Sequence, residues 1–394
     1  MKLFISEHAG DDLNLLLLSA GRYPGIDVAF AVEQIACRRQ IRDKLPSWYS
    51  DDELIYPAGI AAEQCSTEPT ALYKQRLVDA SAHVCDLTGG LGADSFFLSR
   101  KAKQVTYIER IGKYCAAARY NFARLGAENI DVIEGDATAC FPDLPLPVDV
   151  FYADPSRRSG GGKRIFAIGE CEPDLCALLP ALLQRAPKVI AKLSPMADLR
   201  RTLSLLPGVS EVHVLAVRND CKELLFVIGR GAPALPPPVH CVHFTAEGRE
   251  ESFSFCLEKE KDFPAAWAAE GVQAYLYEPN VAILKAGAFK SITRQGVCKL
   301  HVSSHLYTSP GMADNFPGRC FEVEDVIPFS SRICRDLHKA IPRANITVRN
   351  FPLTVKELRL RTRIADGGGV YLFATTLYDG AKALIVCRRH HGRV

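Results

Sequence analysis

Several features that mark common protein classes are missing from this 394-residue chain. The longest apolar run, Leu13 to Ala20 with breaks, is far too short to span a bilayer. The opening residues MKLFISEHAGDD lack the basic segment and apolar segment of a secretory signal. We therefore expect a soluble, cytoplasmic protein that has no membrane partner.

Paired cysteines and clustered histidines are also missing. The fourteen cysteines form no C-x-x-C pair, and Cys85 and Cys387 lie in apolar, strand-like runs. A free thiol in such a run packs as a small hydrophobic group. The ten histidines show no H-E-x-x-H or comparable spacing, and no order of Ser, His and Asp indicates a hydrolase triad. We expect reduced thiols and no metal site.

What the chain does contain is a glycine-dense turn directly after a short strand. Residues 84 to 94 read Val-Cys-Asp-Leu-Thr-Gly-Gly-Leu-Gly-Ala-Asp, so an apolar run ends at Asp86 and the turn begins. Three further β-rich runs also end on acidic residues: Glu109, Asp136 after Gly135, and Asp154 before Pro155. Open α/β sheets bind ligands at the C-terminal edge of their strands. The sequence therefore predicts four carboxylates at one binding edge.

These carboxylates bear on the choice between two ligands. A dinucleotide needs a G-x-G-x-x-G turn for its pyrophosphate, which carboxylates repel, and here Ser95 stands where the third glycine is required. S-adenosylmethionine has no phosphate, and its sulfonium, ammonium, ribose hydroxyls and adenine amine all suit carboxylates. The pattern favours S-adenosylmethionine, and a dinucleotide is the minor alternative.

At this point the residues show a family resemblance. Residues 86 to 92, Asp-Leu-Thr-Gly-Gly-Leu-Gly, resemble the first motif of class I S-adenosylmethionine-dependent methyltransferases, with Thr88 where a glycine usually stands. The resemblance implies an α/β fold: a Rossmann-like, seven-stranded core with a helical N-terminal segment and small α+β C-terminal domains. It implies that Glu109 binds the ribose hydroxyls and Asp136 the adenine amine. The expected cofactor-binding residues are Asp86, Thr88, Gly90, Gly92, Glu109, Arg110, Asp136 and Ala137.

The segment that follows the fourth β-rich run is similar to the D-P-P-Y and D-P-P-R motif beside the target base of nucleic-acid methyltransferases. It reads Asp154-Pro155-Ser156-Arg157, and these four are the candidate catalytic residues. The Asp154 carboxylate would accept a hydrogen bond from a target amine, while Pro155 stiffens the turn. The motif's aromatic residue is absent, and Arg157 is the candidate to stack on the base in its place. The alternative is an ordinary turn at the end of a strand.

One reaction type can be argued against. Pyrimidine C5 methylation uses a cysteine nucleophile, typically just before a proline after the fifth strand. Here residues 191 to 196 read Ala-Lys-Leu-Ser-Pro-Met, with no cysteine. Methylation of a base nitrogen fits better.

The C-terminal region carries an excess of positive charge. Residues 331–394 contain thirteen Lys and Arg against four Asp and Glu, a charge of +9; because the whole chain carries +3, the other 330 residues carry −6. Such a module is typical of a nucleic-acid binder, although a solvated surface is the alternative. The candidate RNA-binding residues are Arg158, Lys163 and Arg164 in a basic, glycine-rich loop, and Lys356, Arg359, Arg361 and Arg363 in a short helix that a capping box begins.

Three further phrases, at residues 63–68, 192–195 and 277–280, resemble a bacterial group of methyltransferases that ends in a THUMP-like domain, a module associated with RNA. The expected domains are 1–70 (helical), 71–230 (methyltransferase), 239–318 (small α+β) and 319–394 (basic, THUMP-like), with a proline-rich linker after Gly231. The hypothesis is an S-adenosylmethionine-dependent methyltransferase acting on a base nitrogen of tRNA or rRNA. Its rivals are a methyltransferase of small molecules or proteins, and a non-catalytic RNA-binding protein that retains the pocket.

Overall fold

The computed structural model describes residues 1–144, 147–157, 171–231 and 236–390. The chain divides into two compact units, the first made of residues 1–212 and 222–235 and the second of residues 213–221 and 236–394. Across the described residues, no helix combines the length and the apolar character that crossing a membrane requires.

Short helices make up the start of the first unit, as the spacing of apolar residues predicts. They are α1 (Lys2–Glu7), α2 (Leu13–Leu18), α3 (Val28–Ile41), α4 (Pro46–Tyr49), α5 (Gly59–Gln64) and α6 (Glu68–Lys74). Asp12 and Asp27 begin α2 and α3 as N-caps, each accepting backbone N–H bonds through its carboxylate. Trp48 of α4 is fully buried, and its ring packs on Phe96 of the following α/β core, 5.6 Å between centroids. The N-terminal helices therefore share a hydrophobic core with the rest of the first unit.

Strands and helices then alternate. The elements are β1 (His83–Asp86), α7 (Ala93–Ser99), β2 (Gln104–Glu109), α8 (Gly112–Arg124), β3 (Ile130–Glu134), α9 (Ala137–Cys140), β4 (Val150–Ala153), β5 (Ser156–Arg157), β6 (Cys171–Glu172), α10 (Leu175–Arg185), β7 (Lys188–Leu193), α11 (Leu199–Leu205), β8 (Val209–Val217) and β9 (Asp220–Gly229). The core order is β8-β9-β7-β4-β1-β2-β3. The five strands β3, β2, β1, β4 and β7 are parallel, and β9 runs antiparallel to β7. This is the seven-stranded core that the family resemblance implies, and the last of its strands along the chain, β9, is antiparallel to its neighbour β7.

The second unit is a mixed α+β structure. Its elements are β10 (Pro238–Phe244), β11 (Glu250–Cys256), α12 (Leu257–Glu260), β12 (Tyr275–Pro279), α13 (Val281–Ala286), β13 (Cys298–Lys299), β14 (Tyr307–Ser309), β15 (Gly318–Pro328), α14 (Ser331–Ala340), β16 (Asn345–Arg349), α15 (Val355–Thr362), β17 (Val370–Thr376) and β18 (Lys382–Arg389). The hairpin β10–β11 lies beside β8, of which residues 213–217 belong to this unit.

A seven-stranded sheet joins the two small C-terminal regions. Its order is β13-β14-β12-β15-β18-β17-β16, so β12, from before residue 318, pairs directly with β15, which begins there. The buried side chains of Leu276, Phe321, Phe373 and Ile385 form one cluster across these strands. The two regions that the sequence separates at residue 318 therefore share both a sheet and a core.

Candidate active site

A cavity of about 980 Å³ opens at the C-terminal edge of the parallel strands in the first unit. Its wall includes Asp86, Glu109, Asp136 and Asp154, the four acidic residues at the ends of β1, β2, β3 and β4. These strands are direct neighbours in the order β3-β2-β1-β4. The structure thus brings all four predicted carboxylates to one edge of the sheet.

The glycine-dense turn forms the floor of the cavity. Gly92 has φ of +89°, and a Cβ on it would lie 2.7 Å from the ring of Phe122. A Cβ on Gly89 would overlap the ring of Tyr107, whose hydroxyl donates a hydrogen bond to the carbonyl oxygen of Gly90 at 2.7 Å. Side chains are excluded because the turn lies directly against two buried aromatic rings.

Glu109 is held in a fixed orientation at the end of β2. Its Oε2 accepts a hydrogen bond from the Gly90 N–H (3.0 Å), and its Oε1 accepts one from the Ile111 N–H (2.9 Å). The carboxylate is half-buried and lines the cavity, so each oxygen retains acceptor capacity toward a ligand hydroxyl. The adjacent Arg110 donates to Glu172 at 2.8 Å, and both residues belong to the cavity wall.

Asp86 is buried and already bound to the protein. Its Oδ1 accepts from the N–H and hydroxyl of Thr88 (2.9 and 3.2 Å), and its Oδ2 accepts from the Ser95 hydroxyl (2.6 Å). Burial raises the pKa of Asp86 to about 7, although these hydrogen bonds oppose the rise. The structure therefore gives Asp86 an organising position beneath the turn, and direct contact with a cofactor stays a prediction.

Asp136 begins α9 as its N-cap. Its Oδ1 accepts from the Thr138 N–H at 2.8 Å and from the Thr138 hydroxyl, and these bonds lower the pKa of Asp136. The side chain is exposed, and both Asp136 and Ala137 line the cavity. The position suits an acceptor for an amine at one end of the cavity.

Asp154 stands where β4 ends. Its backbone N–H donates to the Thr88 hydroxyl at 2.7 Å, which ties the Asp-Pro turn to the glycine-dense turn. Its Oδ2 accepts from the Lys192 ammonium of β7 at 2.5 Å. Pro155 and Ser156 continue the cavity wall. Arg157 lies in β5, which pairs with β6, and its side chain falls outside the described part of the chain.

Behind Asp154 lies a group of charged side chains that the sequence analysis missed. We call it the buried ion network; its members are Ser66, Lys74, Asp94, Lys192 and Glu223. Lys74 contacts Asp94 and Glu223 at 2.7 Å each and donates to Ser66 at 2.8 Å. Ser66 and Lys192 occur in two phrases that carry the family resemblance, but no local pattern marks the other three, since five different segments supply the network.

The charges of this network stabilise one another. Burial alone would lower the pKa of Lys192, but Asp154, Asp94 and Glu223 outweigh it, and the pKa lies well above its usual value. Burial alone would raise the pKa of Asp94, but the two lysines outweigh it, and the pKa lies below its usual range. The Tyr152 hydroxyl also donates to Asp94, at 2.8 Å. Both ions therefore keep their charge inside the protein.

The predicted RNA-binding residues fall into three groups. Lys356, Arg361 and Arg363 are exposed on or directly after α15, which the Thr354–Glu357 capping box begins as predicted. Arg359 instead donates to the carbonyl oxygens of Ile364 and Ala344 (3.1 Å each) and binds Asp366. Arg158, Lys163 and Arg164 lie outside the described residues.

Comparisons with known proteins agree with this geometry. The THUMP domain-like family matches residues 318–389, and a ferredoxin-like domain family matches residues 275–317. A crystal structure described as a methyltransferase from Porphyromonas gingivalis W83 is 38% identical, has a TM-score of 0.89, and is aligned over 99% of this chain and 97% of that chain.

Curated relatives match shorter stretches. A protein-L-isoaspartate O-methyltransferase of Methanoregula boonei is 37% identical over 24% of this chain and 44% of its own length. An RNA methyltransferase of Clostridium tetani is 32% identical over 31% of this chain and 25% of its own length. The ribosomal RNA small subunit methyltransferase J of Rhodopseudomonas palustris is 28% identical over 38% of this chain and 73% of its own length. The chain thus spans less than half the length of the first two.

The seven-stranded order, the glycine-dense turn and the carboxylates at the strand ends define a class I methyltransferase. Two comparisons narrow this class to one family: the near-complete alignment with the Porphyromonas gingivalis protein and the C-terminal family match. The chain belongs to the family of S-adenosylmethionine-dependent methyltransferases that carry a THUMP-like domain.

Proposed function

We propose that this enzyme binds S-adenosylmethionine in the described cavity and methylates a nitrogen of an RNA base, in tRNA or rRNA. The observation that carries the proposal is the position of Asp154. It lines the same cavity as Glu109, its backbone is tied to the glycine-dense turn through Thr88, and its carboxylate is oriented by Lys192.

The chemistry of the cavity wall fits this cofactor. Seven carboxylates and only three cations belong to the wall among the described residues: Asp86, Asp94, Glu109, Asp136, Asp154, Glu172 and Asp174 against Arg110, Lys192 and Lys222. Such a surface disfavours a pyrophosphate and favours a cation with hydroxyl and amine donors. Glu109 would hold the ribose hydroxyls and Asp136 the adenine amine. When bound, S-adenosylmethionine supplies an electrophilic methyl group on sulfur.

The residues of the chain then provide orientation. Asp154 accepts a hydrogen bond from the target nitrogen and so directs the nitrogen lone pair; no covalent intermediate is required of the protein. Pro155 limits the freedom of the turn that carries this carboxylate. Because the wall is acidic, the phosphates of a nucleic acid stay outside while a single base enters, as in enzymes that act on an extruded base.

The RNA assignment rests on separate support. The C. tetani and R. palustris relatives are RNA methyltransferases, and the THUMP domain-like match covers the region with the excess of positive charge. Exposed Lys356, Arg361 and Arg363 would contact backbone phosphates.

The test is transfer of a labelled methyl group from S-adenosylmethionine to bulk tRNA and rRNA isolated from a strain that lacks the gene. We expect label in RNA, which nucleoside mass spectrometry then assigns to a base nitrogen. Label in protein or small molecules, with unlabelled RNA, would favour the rival methyltransferases. Calorimetry that detects no S-adenosylmethionine binding would instead indicate a non-catalytic protein.

A further inference from the structure

The Asp154–Lys192 pair connects the cavity to the buried ion network. Within this pair Asp154 is the more exposed partner, with 35% of its side chain accessible against 10% for Lys192. Lys74 and Glu223 deeper in the network are 0% and 2% exposed. The charges thus extend from the protein interior to the cavity wall, where Asp154 is the most exposed of them.

We propose that Lys192 is a positioning residue for methyl transfer: its ammonium holds the Asp154 carboxylate in the orientation that accepts a hydrogen bond from the target nitrogen. The inference rests on the proposed function of Asp154. It adds that Asp154 depends on a second residue, 38 positions further along the chain, for its orientation.

The hydrogen-bond inventory of Lys192 supports a positioning role over direct substrate contact. An ammonium has three N–H donors. Lys192 donates to Asp154 Oδ2 (2.5 Å) and to Ser66 Oγ (3.0 Å), and Asp94 Oδ2 lies 3.5 Å from its nitrogen. With these three protein oxygens around the ammonium and its side chain 10% exposed, Lys192 is engaged mainly by the protein.

The remaining members fix Lys192 in turn. Ser66 accepts from both Lys192 and Lys74 and donates to Asp94 at 2.9 Å. Lys74 joins Asp94 to Glu223. Together with Asp154 the network holds three carboxylates and two ammonium groups, so removal of either lysine leaves an excess of two negative charges in a buried region. Buried, uncompensated charge is strongly unfavourable, so without Lys192 the Asp154 carboxylate should turn away from the network.

This defines a test that does not depend on catalysis. The variant is Lys192→Met, which preserves length without the charge, and the readout is the orientation of the Asp154 carboxylate in the crystal structure of the variant. The matched control is Lys188→Met on the same strand, because Lys188 binds the Leu77 carbonyl at 3.1 Å and is not part of the cavity wall.

We expect the Asp154 carboxylate to turn away from its wild-type orientation in Lys192→Met and to keep that orientation in Lys188→Met. Where RNA methylation is measurable, kcat of Lys192→Met should fall about tenfold or more with little change in KM, and Lys192→Arg, which retains a cation, should recover part of the loss. An Asp154 carboxylate that keeps its wild-type orientation in Lys192→Met would overturn the proposal. A rise in KM with an unchanged kcat would overturn it as well.

A milder variant covers the case in which Lys192→Met does not fold. Ser66→Ala keeps both lysines and removes one acceptor and its connection to Asp94. It should displace the Lys192 ammonium and the Asp154 carboxylate by less, and an unaltered Lys192–Asp154 pair in a folded Ser66→Ala protein would also overturn the proposal. Failure of the proposed function is a separate outcome: unlabelled RNA combined with a reoriented Asp154 in Lys192→Met would retain the Lys192 assignment and reject the substrate.

Discussion

The hydroxyl of Thr88 accepts a hydrogen bond from the backbone N–H of Asp154 at 2.7 Å and donates one to Asp86 at 3.2 Å. This one side chain therefore links the turn after β1 to the turn after β4. A glycine, which usually stands at this position of the motif, has no side chain to make either bond. The threonine that replaces the usual glycine therefore connects the two parts of the site.

Replacing Thr88 tests this connection. Thr88→Val keeps the shape and removes the hydroxyl, which leaves the Asp154 N–H without its acceptor at a cost of about 1–3 kcal/mol. We expect methyl transfer to fall about tenfold or more while S-adenosylmethionine affinity changes little. Thr88→Ser retains the hydroxyl and should keep most activity. Equal rates for the Val and Ser variants would show that the hydrogen bond has no effect on the reaction.

Glu109 is expected to determine cofactor affinity. In Glu109→Ala, the ribose hydroxyls lose their charged acceptor, and each such bond is worth about 1.5–3 kcal/mol, or roughly 10- to 150-fold in Kd. Calorimetry with S-adenosylmethionine measures this directly, with thermal unfolding to verify the fold. Glu128→Ala, at an exposed glutamate outside the cavity wall, is the control and should bind normally. Unchanged affinity in a folded Glu109→Ala protein would contradict the pocket assignment.

The raised pKa of Asp86 predicts a pH dependence of stability. The folded-state pKa is about 7, whereas an unfolded aspartate titrates near about 4. Between these values the folded state binds the extra proton, so this group's contribution to stability falls as pH rises from about 4 to about 7 and is constant above.

Asp86→Asn removes that titration and can still hydrogen-bond Thr88 and Ser95. The unfolding midpoint of the variant, relative to the wild type, should therefore increase between about pH 4 and about pH 7 and then stay constant. Thermal unfolding across this range measures it. A difference that is the same at every pH would indicate that Asp86 is ionised throughout.

Asp154→Asn should separate chemistry from binding. The variant retains a side chain of the same size, but it loses the charge that pairs with Lys192 and the carboxylate that orients the target nitrogen. We expect a loss of methyl transfer of about 100-fold or more, with cofactor affinity nearly intact. The control is Asp143→Asn, at an exposed position outside the cavity wall. Wild-type turnover in Asp154→Asn would show that Asp154 is an ordinary turn residue with no role in the reaction.

The exposed cations of α15 and its C-cap predict the salt dependence of RNA binding. Each of three charge reversals, at Lys356, Arg361 or Arg363, should reduce the slope of log affinity against log salt concentration. The expected reduction is about one unit for every phosphate that the variant no longer binds. Arg359→Glu is a contrasting variant, since its guanidinium binds two carbonyls within the domain. It should lower the unfolding temperature of the second unit instead. RNA affinity that is independent of salt would contradict phosphate binding by this helix.

Deletion of the THUMP-like region is a poor alternative to these point variants. The strand β15 begins at Gly318 and pairs with both β12 and β18. Removing residues 320–394 would therefore expose the core residues Leu276 and Leu306, which pack in the same cluster as Phe321. The point variants test RNA binding and leave this core intact.

Much of this protein follows from local sequence alone. Apolar runs ending at Asp86, Glu109 and Asp154 identify strands and the edge at which they meet, because parallel strands place their C-terminal ends together. The capping box at Thr354 and Glu357 follows from side chains that bond the backbone a few residues away. In each case the partners are close in sequence, so periodicity and spacing are sufficient.

The tertiary structure decided the rest. Lys192 reaches Asp154 from another strand, Lys74 pairs with Glu223 from a distant part of the chain, and Arg359 turns its guanidinium toward the Ala344 carbonyl. The sharing of one core by the two C-terminal regions is likewise a product of strand order. Hydrogen bonds and ion pairs depend on distance in space to within a fraction of an ångström, and residues far apart in sequence acquire that distance only when the chain folds.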